Sequence, residues 1–194
     1  MEQGKKEIKK ILVTFDIDGT LIQSDGTNSN HFYQAFSYAI LQVFGIHGTI
    51  DVIQPHGSTD PAILVNTLVH YGISSEVTGN LEETAWMKLD ALGIKKYFSV
   101  PHFGGFGSDH MDRGHLIKIA AERAENLYPG KFDSRLHVGD TPNDIIAAEC
   151  EGALAIGVCT GIFRKEELEQ VSNRGAVILQ DLCDHKSFIN LLVI

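Results

Sequence analysis

The stretch ILVTFDIDGT, residues 11–20, decides the fold of this chain. Its first half, Ile11–Phe15, is a short, largely apolar run of the kind that forms a strand buried on both faces. Two carboxylates, Asp16 and Asp18, then stand two residues apart where that strand ends, and Gly19 lets the chain turn. Chemistry in an open α/β sheet gathers beyond the carboxyl ends of the strands. Because close carboxylates repel each other unless a cation or a proton separates them, the stretch predicts a metal-assisted catalytic site.

Strand and helix signals alternate along the rest of the chain. This alternation predicts an α/β fold with a doubly wound, mostly parallel sheet, a Rossmann-like core. After the first strand, the sequence predicts strands that end at Val77–Thr78 and that span residues 97–100, 135–138, 153–158 and 176–179. It predicts helices over about residues 30–44, 60–71, 80–92, 113–127 and 184–192, and one that begins at Pro142.

Helix-start signals support three of these helices. Asp60 is predicted as the N-cap of one helix, with Pro61 in its first turn. Asn80 and Glu83 have the spacing of a capping box, and Thr141 precedes Pro142 in the same way as Asp60 precedes Pro61.

A length of 194 residues predicts one domain with an insertion. Two predicted helices fall between the first and second core strands, where they would form a small cap. We therefore assign residues 8–24 and 73–194 to the catalytic core and residues 25–72 to a reduced helical cap.

Composition narrows the possible partners and the compartment. The formal net charge is −9, which disfavours binding to nucleic acid or to an acidic membrane surface. The three cysteines have no CxxC spacing, which argues against a zinc site or a disulfide scaffold and favours a reducing compartment. Since no long apolar segment follows the lysine-rich beginning of the sequence, we expect a cytoplasmic protein without a signal peptide or a membrane span. The sequence leaves the oligomeric state open.

Two more predicted strand ends carry polar side chains that suit the same chemistry. Thr78 and the amide of Gly79 lie at a helix N-terminus, where a hydroxyl, backbone donors and the helix dipole suit a phosphate oxygen. Asp140 and Asp144 follow the strand at 135–138, and their spacing turns the second carboxylate back toward the strand end. Hard oxygen ligands without histidine or cysteine favour Mg²⁺ over zinc.

Taken in order, these motifs resemble those of the haloacid dehalogenase superfamily, and phosphoglycolate phosphatases are the most similar branch. Residues 16–20, DIDGT, resemble its first motif; residues 78–80, TGN, its second; and residues 139–144, GDTPND, its fourth. The resemblance runs from Ile11 to the end of the chain. It implies a magnesium-dependent phosphatase that acts on a small phosphorylated metabolite.

The resemblance also implies a role for each residue. Asp16 would attack phosphorus and form an aspartyl-phosphate, and Asp18 would act as the acid and base. Asp140 would hold Mg²⁺ with the Asp16 carboxylate and the Asp18 backbone carbonyl, while Asp144 would ligate through water or orient Asp140. Thr78 and Gly79 would bind the phosphate.

The third motif needs a cation beside the nucleophile. Arg113 is the first choice, because it begins the predicted helix after a glycine-rich loop, and Lys118 is the alternative. A positive charge at this place would stabilise the phosphoryl oxygens in the transition state. Seven of the histidines show no metal-ligand spacing in the sequence: His31, His47, His56, His70, His102, His110 and His115.

The cap is shorter than is usual for this branch, and residues 74–76 are polar where a buried strand should be apolar. We hypothesise that the chain lacks a segment, as a splice variant or a truncated product would. Three alternatives therefore stay open: a haloacid dehalogenase, a phosphomutase of the same fold, and a catalytically impaired form that acts as a binding protein.

Overall fold

The computed structural model describes residues 9–22, 34, 36–38, 40–42, 45–72, 82–98 and 104–192. Within them, four strands form one parallel sheet in the order β1-β2-β3-β4. The strands are β1 Ile11–Phe15, β2 Ser134–Gly139, β3 Leu154–Val158 and β4 Val177–Leu179. The helices are α1 Asp60–His70, α2 Glu82–Ala91, α3 Arg113–Leu127, α4 Pro142–Cys150, α5 Lys165–Val171 and α6 His185–Leu192.

Helices cover both faces of this sheet. On one face, Ile117 of α3, Ile145 of α4 and Leu168 of α5 join one apolar cluster with side chains of β3 and β4. On the other face, Phe188 of α6 packs with alternate side chains of the strands, among them Val138. The predicted doubly wound α/β fold is thus confirmed. Because helices cover both faces of the sheet, side chains that point to either face are apolar, and the strands are nearly continuous apolar runs.

Two of the three predicted helix starts lie in the described part of the chain, whereas the predicted cap at Asn80 lies outside it. Thr141 caps α4 through a complete capping box with Asp144, as the sequence predicts. The N-cap of α1 is Thr59 and not Asp60, because the Thr59 side chain accepts the backbone N–H of Ala62. The helix therefore begins one residue earlier than predicted.

Two further differences concern short elements. Residues Lys95–Tyr97 form a 3-10 turn, so the strand predicted to begin at Tyr97 is wrong at that residue, and residues 99–100 lie outside the described part. Helix α5 is not predicted by the sequence, because only Leu168 of its residues is buried and its apolar pattern is short. Seven of the residues between 34 and 42 are described, and all are helical, in agreement with the helix predicted there.

The predicted strand before Thr78 lies outside the described residues, together with Thr78, Gly79 and Asn80. The division into core and cap, and the hypothesis of a missing segment, therefore stay predictions. No described helix is long and apolar enough to span a membrane.

A buried glutamate ties α4 to the turn after α5. Glu149 is only 6% exposed, and its carboxylate accepts hydrogen bonds from Ser172 Oγ at 2.6 Å, Asn173 N at 2.9 Å and Arg174 N at 3.2 Å. Burial opposes ionisation, but these hydrogen bonds outweigh it and hold the pKa of Glu149 below its usual value.

We expect Glu149→Ala to destabilise the protein by about 2 kcal/mol, because three donors lose a charged acceptor. Since the folded-state pKa is lowered, this contribution is present above the ordinary pKa of 4.5 and is lost as the pH falls toward the folded value. Urea unfolding at pH 7 and pH 4 measures both effects. Glu125→Ala, an exposed change on α3, is the control; equal losses for the two variants would contradict the assignment.

Candidate active site

Three carboxylates meet beyond the carboxyl ends of β1 and β2. Asp16 follows β1 directly, Asp140 follows β2, and Asp144 lies in the first turn of α4. The register of the two strands pairs Phe15 with Val138, and the Asp16 N–H continues this pairing with a 2.8 Å bond to the Val138 carbonyl. One oxygen from each carboxylate lies within 4.8 Å of the others. The three carboxylates therefore lie close together, as their positions at the strand ends predict.

Arg113 is the cation of this cluster. Its Nη1 donates to Asp16 Oδ1 at 2.8 Å and to Asp144 Oδ1 at 2.7 Å. Burial alone would lower the pKa of Arg113, but the charges of Asp144 and Asp16 outweigh burial and raise it. Lys118, five residues farther along α3, is exposed. The structure thus brings the first choice for the third-motif cation into the site, and not the alternative.

Asp144 is held as an ion by its surroundings. Besides Arg113, its carboxylate accepts from Thr141 N at 3.0 Å and Thr141 Oγ1 at 2.7 Å, and His137 Nε2 lies 3.4 Å away. Burial would raise the pKa of Asp144, but the Arg113 charge and the hydrogen bonds from His137 and Thr141 lower it to about 2. Both oxygens of Asp144 are engaged, which suits a group that balances charge and orients its neighbours.

The surroundings of the other two carboxylates, Asp16 and Asp140, disfavour their ionisation. Burial, and then the charge of Asp144, raise the pKa of Asp16. Burial, and then the charges of Asp16 and Asp144, raise the pKa of Asp140 to about 7, although the Thr20 hydroxyl donates to Asp140 Oδ1 at 3.2 Å. A single guanidinium therefore does not neutralise the cluster. Buried, crowded carboxylate oxygens of this kind fit a hard divalent cation such as Mg²⁺.

The Asp140 carboxylate occupies space that is open only because residues 19 and 161 are glycines. A Cβ atom on Gly161 would lie 1.8 Å from Asp140 Oδ2, and one on Gly19 would lie 2.4 Å from the same oxygen. Gly19 also has φ +92°, a conformation that favours glycine. The loop after β3 and the turn after β1 therefore fix Asp140 by close backbone approach.

We expect Gly161→Ala to displace the Asp140 carboxylate and to weaken Mg²⁺ binding about tenfold or more, because misplaced ligands lose coordination geometry. Titration of Mg²⁺ followed by calorimetry measures the change. Gly175→Ala is the control, since a Cβ there meets nothing within 4 Å, although its φ of +79° adds local strain. Unchanged Mg²⁺ affinity in Gly161→Ala would contradict the prediction that Asp140 is a metal ligand.

Asp18 stands apart from the three carboxylates. Its side chain is 63% exposed, and its Oδ2 accepts from Lys88 Nζ at 2.6 Å. Lys88 belongs to α2 and lies 70 positions away in the sequence. Sequence reasoning missed it, because one lysine on a helix is indistinguishable from an ordinary solvated side chain. The contact gives Asp18 a cationic partner of its own outside the buried cluster.

Sequence reasoning also missed His137. It lies on β2, is buried, and places its ring between Thr14 Oγ1 at 2.9 Å and Asp144 Oδ1 at 3.4 Å. The available signal was a histidine within the apolar run of a predicted core strand, since a buried polar side chain needs a partner. His137 thus contacts Asp144 from the buried strand β2 and helps to hold its carboxylate in place.

The predicted phosphate-binding residues, Thr78 and Gly79, lie outside the described residues. Their contribution to the site stays a prediction.

Comparison with known proteins finds one matching family model. Residues 113–185 match the family model described as HAD-hydrolase-like. The matched segment contains Arg113, Asp140 and Asp144, three of the residues that build the cluster. No curated protein matches the chain significantly.

Two solved structures are similar over nearly their whole length. A hydrolase from Pseudomonas syringae is 16% identical, with a TM-score of 0.54 over 93% of this chain and 98% of its own. A haloacid dehalogenase-like family hydrolase from Streptococcus pneumoniae is 14% identical, with a TM-score of 0.53 and the same two coverages. At this identity the two structures show the fold alone. Together with the family match, they confirm the predicted resemblance to the haloacid dehalogenase superfamily, whereas the phosphoglycolate phosphatase branch stays a prediction.

Proposed function

We propose that this chain, which has a haloacid dehalogenase-like hydrolase fold, is a magnesium-dependent phosphatase that hydrolyses a small phosphate monoester. The observation that carries the proposal is the contact of Arg113 with both Asp16 and Asp144, beside the Asp140 carboxylate. This arrangement supplies a carboxylate nucleophile, a fixed positive charge and a set of hard oxygen ligands in one place.

Asp16 is the proposed nucleophile. Arg113 holds its Oδ1, and Oδ2, which accepts no hydrogen bond from the described residues, would attack phosphorus. The new bond joins Asp16 Oδ2 to phosphorus while the ester P–O bond breaks, and the leaving oxygen takes a proton from Asp18, whose carboxyl group would enter this step protonated and no longer paired with Lys88. Attack by water on the aspartyl-phosphate then returns a proton to Asp18, breaks the bond to Asp16 and releases inorganic phosphate.

The positions of the charges suit these roles. Arg113 would face both the nucleophile and the phosphoryl oxygens, where negative charge spreads in the transition state. Asp16 and Asp140 would hold the Mg²⁺ ion with the Asp18 carbonyl, and Asp144 would hold Arg113 and act on the ion through water. When bound, the ion would offset the repulsion between substrate phosphate and carboxylates. Thr78 and Gly79 would add hydrogen bonds to the phosphate.

The exposed side chain of Asp18 suits its proposed role as the acid and base, because this role requires contact with the attacking water molecule. Its exposed side chain can accept the proton of an incoming water molecule, and Lys88 keeps the carboxylate oriented in the absence of substrate. A surface ion pair of this kind contributes only about 0–1 kcal/mol to stability, so Asp18 can leave Lys88 at little cost when a substrate binds.

Hydrolysis of p-nitrophenyl phosphate tests the proposal. We expect turnover with Mg²⁺, loss of turnover with a chelator, and recovery when Mg²⁺ is restored, because the carboxylate cluster needs a compensating cation. Product analysis separates the alternatives: phosphate release from monoesters supports a phosphatase, chloride release from 2-haloacids a dehalogenase, and an isomeric sugar phosphate a mutase. Failure of all three activities in a folded protein that binds Mg²⁺ would favour the binding protein.

A further inference from the structure

We propose that His110, Asp112 and His115 form a second metal site, which takes a borderline divalent ion such as Zn²⁺ or Ni²⁺. One ligand atom from each residue lies within 4.8 Å of the others. All three side chains are exposed, so an ion can enter from solvent. The site uses none of the carboxylates of the proposed active site and does not depend on the proposed phosphatase activity.

Local contacts already gather the three side chains. His115 Nδ1 lies 3.1 Å from Asp112 Oδ1, and the Asp112 backbone N–H donates to His110 Nδ1 at 2.9 Å. The two imidazole rings stack with their centroids 4.1 Å apart. The order H-x-D-x-x-H places two ligands before the helix and one in its first turn, a pattern that the sequence alone did not identify as a ligand set.

The segment that carries His110 is braced against α3. Arg123 donates to both oxygens of Asp109, at 2.7 and 2.8 Å, and to the Gly104 carbonyl at 2.7 Å. Gly105 lies so close to α3 that a Cβ atom would approach the Leu116 carbonyl to 1.9 Å. The backbone next to His110 is therefore held in place before an ion arrives, which lowers the entropic cost of binding.

Asp112 adds a second constraint. It is the N-cap of α3, and its Oδ1 accepts the His115 N–H at 3.0 Å. The cap holds this carboxylate beside the His115 ring. Binding of an ion would exchange some of these exposed hydrogen bonds for metal–ligand bonds, and water can replace those that are given up.

The ligand chemistry distinguishes this site from the carboxylate cluster. Two imidazoles and one carboxylate suit Zn²⁺, Ni²⁺ or Cu²⁺, whereas Mg²⁺ prefers oxygen ligands alone. Three protein ligands also leave a coordination position for water. Excess Mg²⁺ should therefore occupy the cluster of Asp16, Asp140 and Asp144 without filling the histidine site.

Calorimetric titration of Zn²⁺ and Ni²⁺ into the full chain, with excess Mg²⁺ present, tests the proposal. We expect one equivalent to bind, and the double variant His110→Ala/His115→Ala to bind at least roughly tenfold more weakly. His56→Ala/His70→Ala removes two exposed histidines elsewhere and should bind like the wild type. Asp112 is left unchanged in both, because its loss would remove the helix cap.

A spectroscopic measurement and a second histidine variant complete the test. Pulsed electron paramagnetic resonance of bound Cu²⁺ should show imidazole nitrogen in the wild type and lose that signal in the double variant. His110→Gln/His115→Gln, which retains hydrogen-bonding side chains, replaces the alanine variant if the latter unfolds. Wild-type affinity in the folded His110/His115 double variant, or loss of Zn²⁺ binding in Asp140→Asn, would overturn the proposal, whatever the phosphatase assay shows.

Discussion

The variant Asp16→Asn is expected to lose turnover by at least about 10³-fold, because an amide oxygen cannot replace the proposed nucleophile. The same change should leave the fold intact and, without metal, at least as stable as the wild type. Burial and the Asp144 charge raise the pKa of Asp16, so the folded protein gains nothing from ionising it at neutral pH. Arg113 keeps its 2.7 Å contact with Asp144.

Phosphatase assays and thermal unfolding, each with Mg²⁺ and with chelator, check both parts. The wild type should gain stability from Mg²⁺ by mass action, and Asp16→Asn should gain less. Asp90→Asn, which changes an exposed aspartate on α2, is the matched control and should match the wild type in all four measurements. Wild-type turnover in Asp16→Asn would remove the nucleophile assignment, whereas a collapse of its stability would show a structural role instead.

Arg113→Met is expected to have the second large effect, on both stability and activity. The change leaves Asp144, which is fully buried, and Asp16, which is 18% exposed, without their cation. Removal of one partner from a buried ion pair costs about 3–5 kcal/mol, which for a chain of this size lowers Tm by roughly 10 °C. Activity should fall with it, because the transition state loses a fixed positive charge.

The pH dependence of this variant has a definite sign. Without Arg113, we expect the folded-state pKa of Asp144 to rise, because burial is then opposed only by His137 and Thr141, and the folded variant should take up a proton at a higher pH than the wild type does. Stability lost at pH 8 should therefore return in part as the pH falls. Asp144→Asn in the same background should also restore part of it, which a double-mutant cycle measures. Lys118→Met, an exposed change on the same helix, is the control; an equal loss in that variant would contradict the role given to Arg113.

Elements whose signals lie in neighbouring residues could be predicted from the sequence. The apolar run Ile11–Phe15 and the turn residues after it predicted both the strand β1 and the place of Asp16, although only Leu12 of this strand is buried and the other four residues are partly exposed. The pair Thr141–Pro142 predicted the start of α4, because capping depends on neighbours in the chain. Helix α5 was not predicted, because it is short and only Leu168 of its residues is buried, so its sequence has little helical periodicity.

The sequence by itself determined the parallel α/β framework and the meeting of Asp16, Asp140 and Asp144, because local periodicity and caps specify strands whose ends must share one edge of the sheet. Only the tertiary structure decided which cation serves Asp16, that Lys88 pairs with Asp18, and that His137 supports Asp144. These pairings join side chains 97, 70 and 7 positions apart, whose meeting depends on how the helices and strands pack. Periodicity shows which face of an element is buried, but the partner of each charge is set by packing.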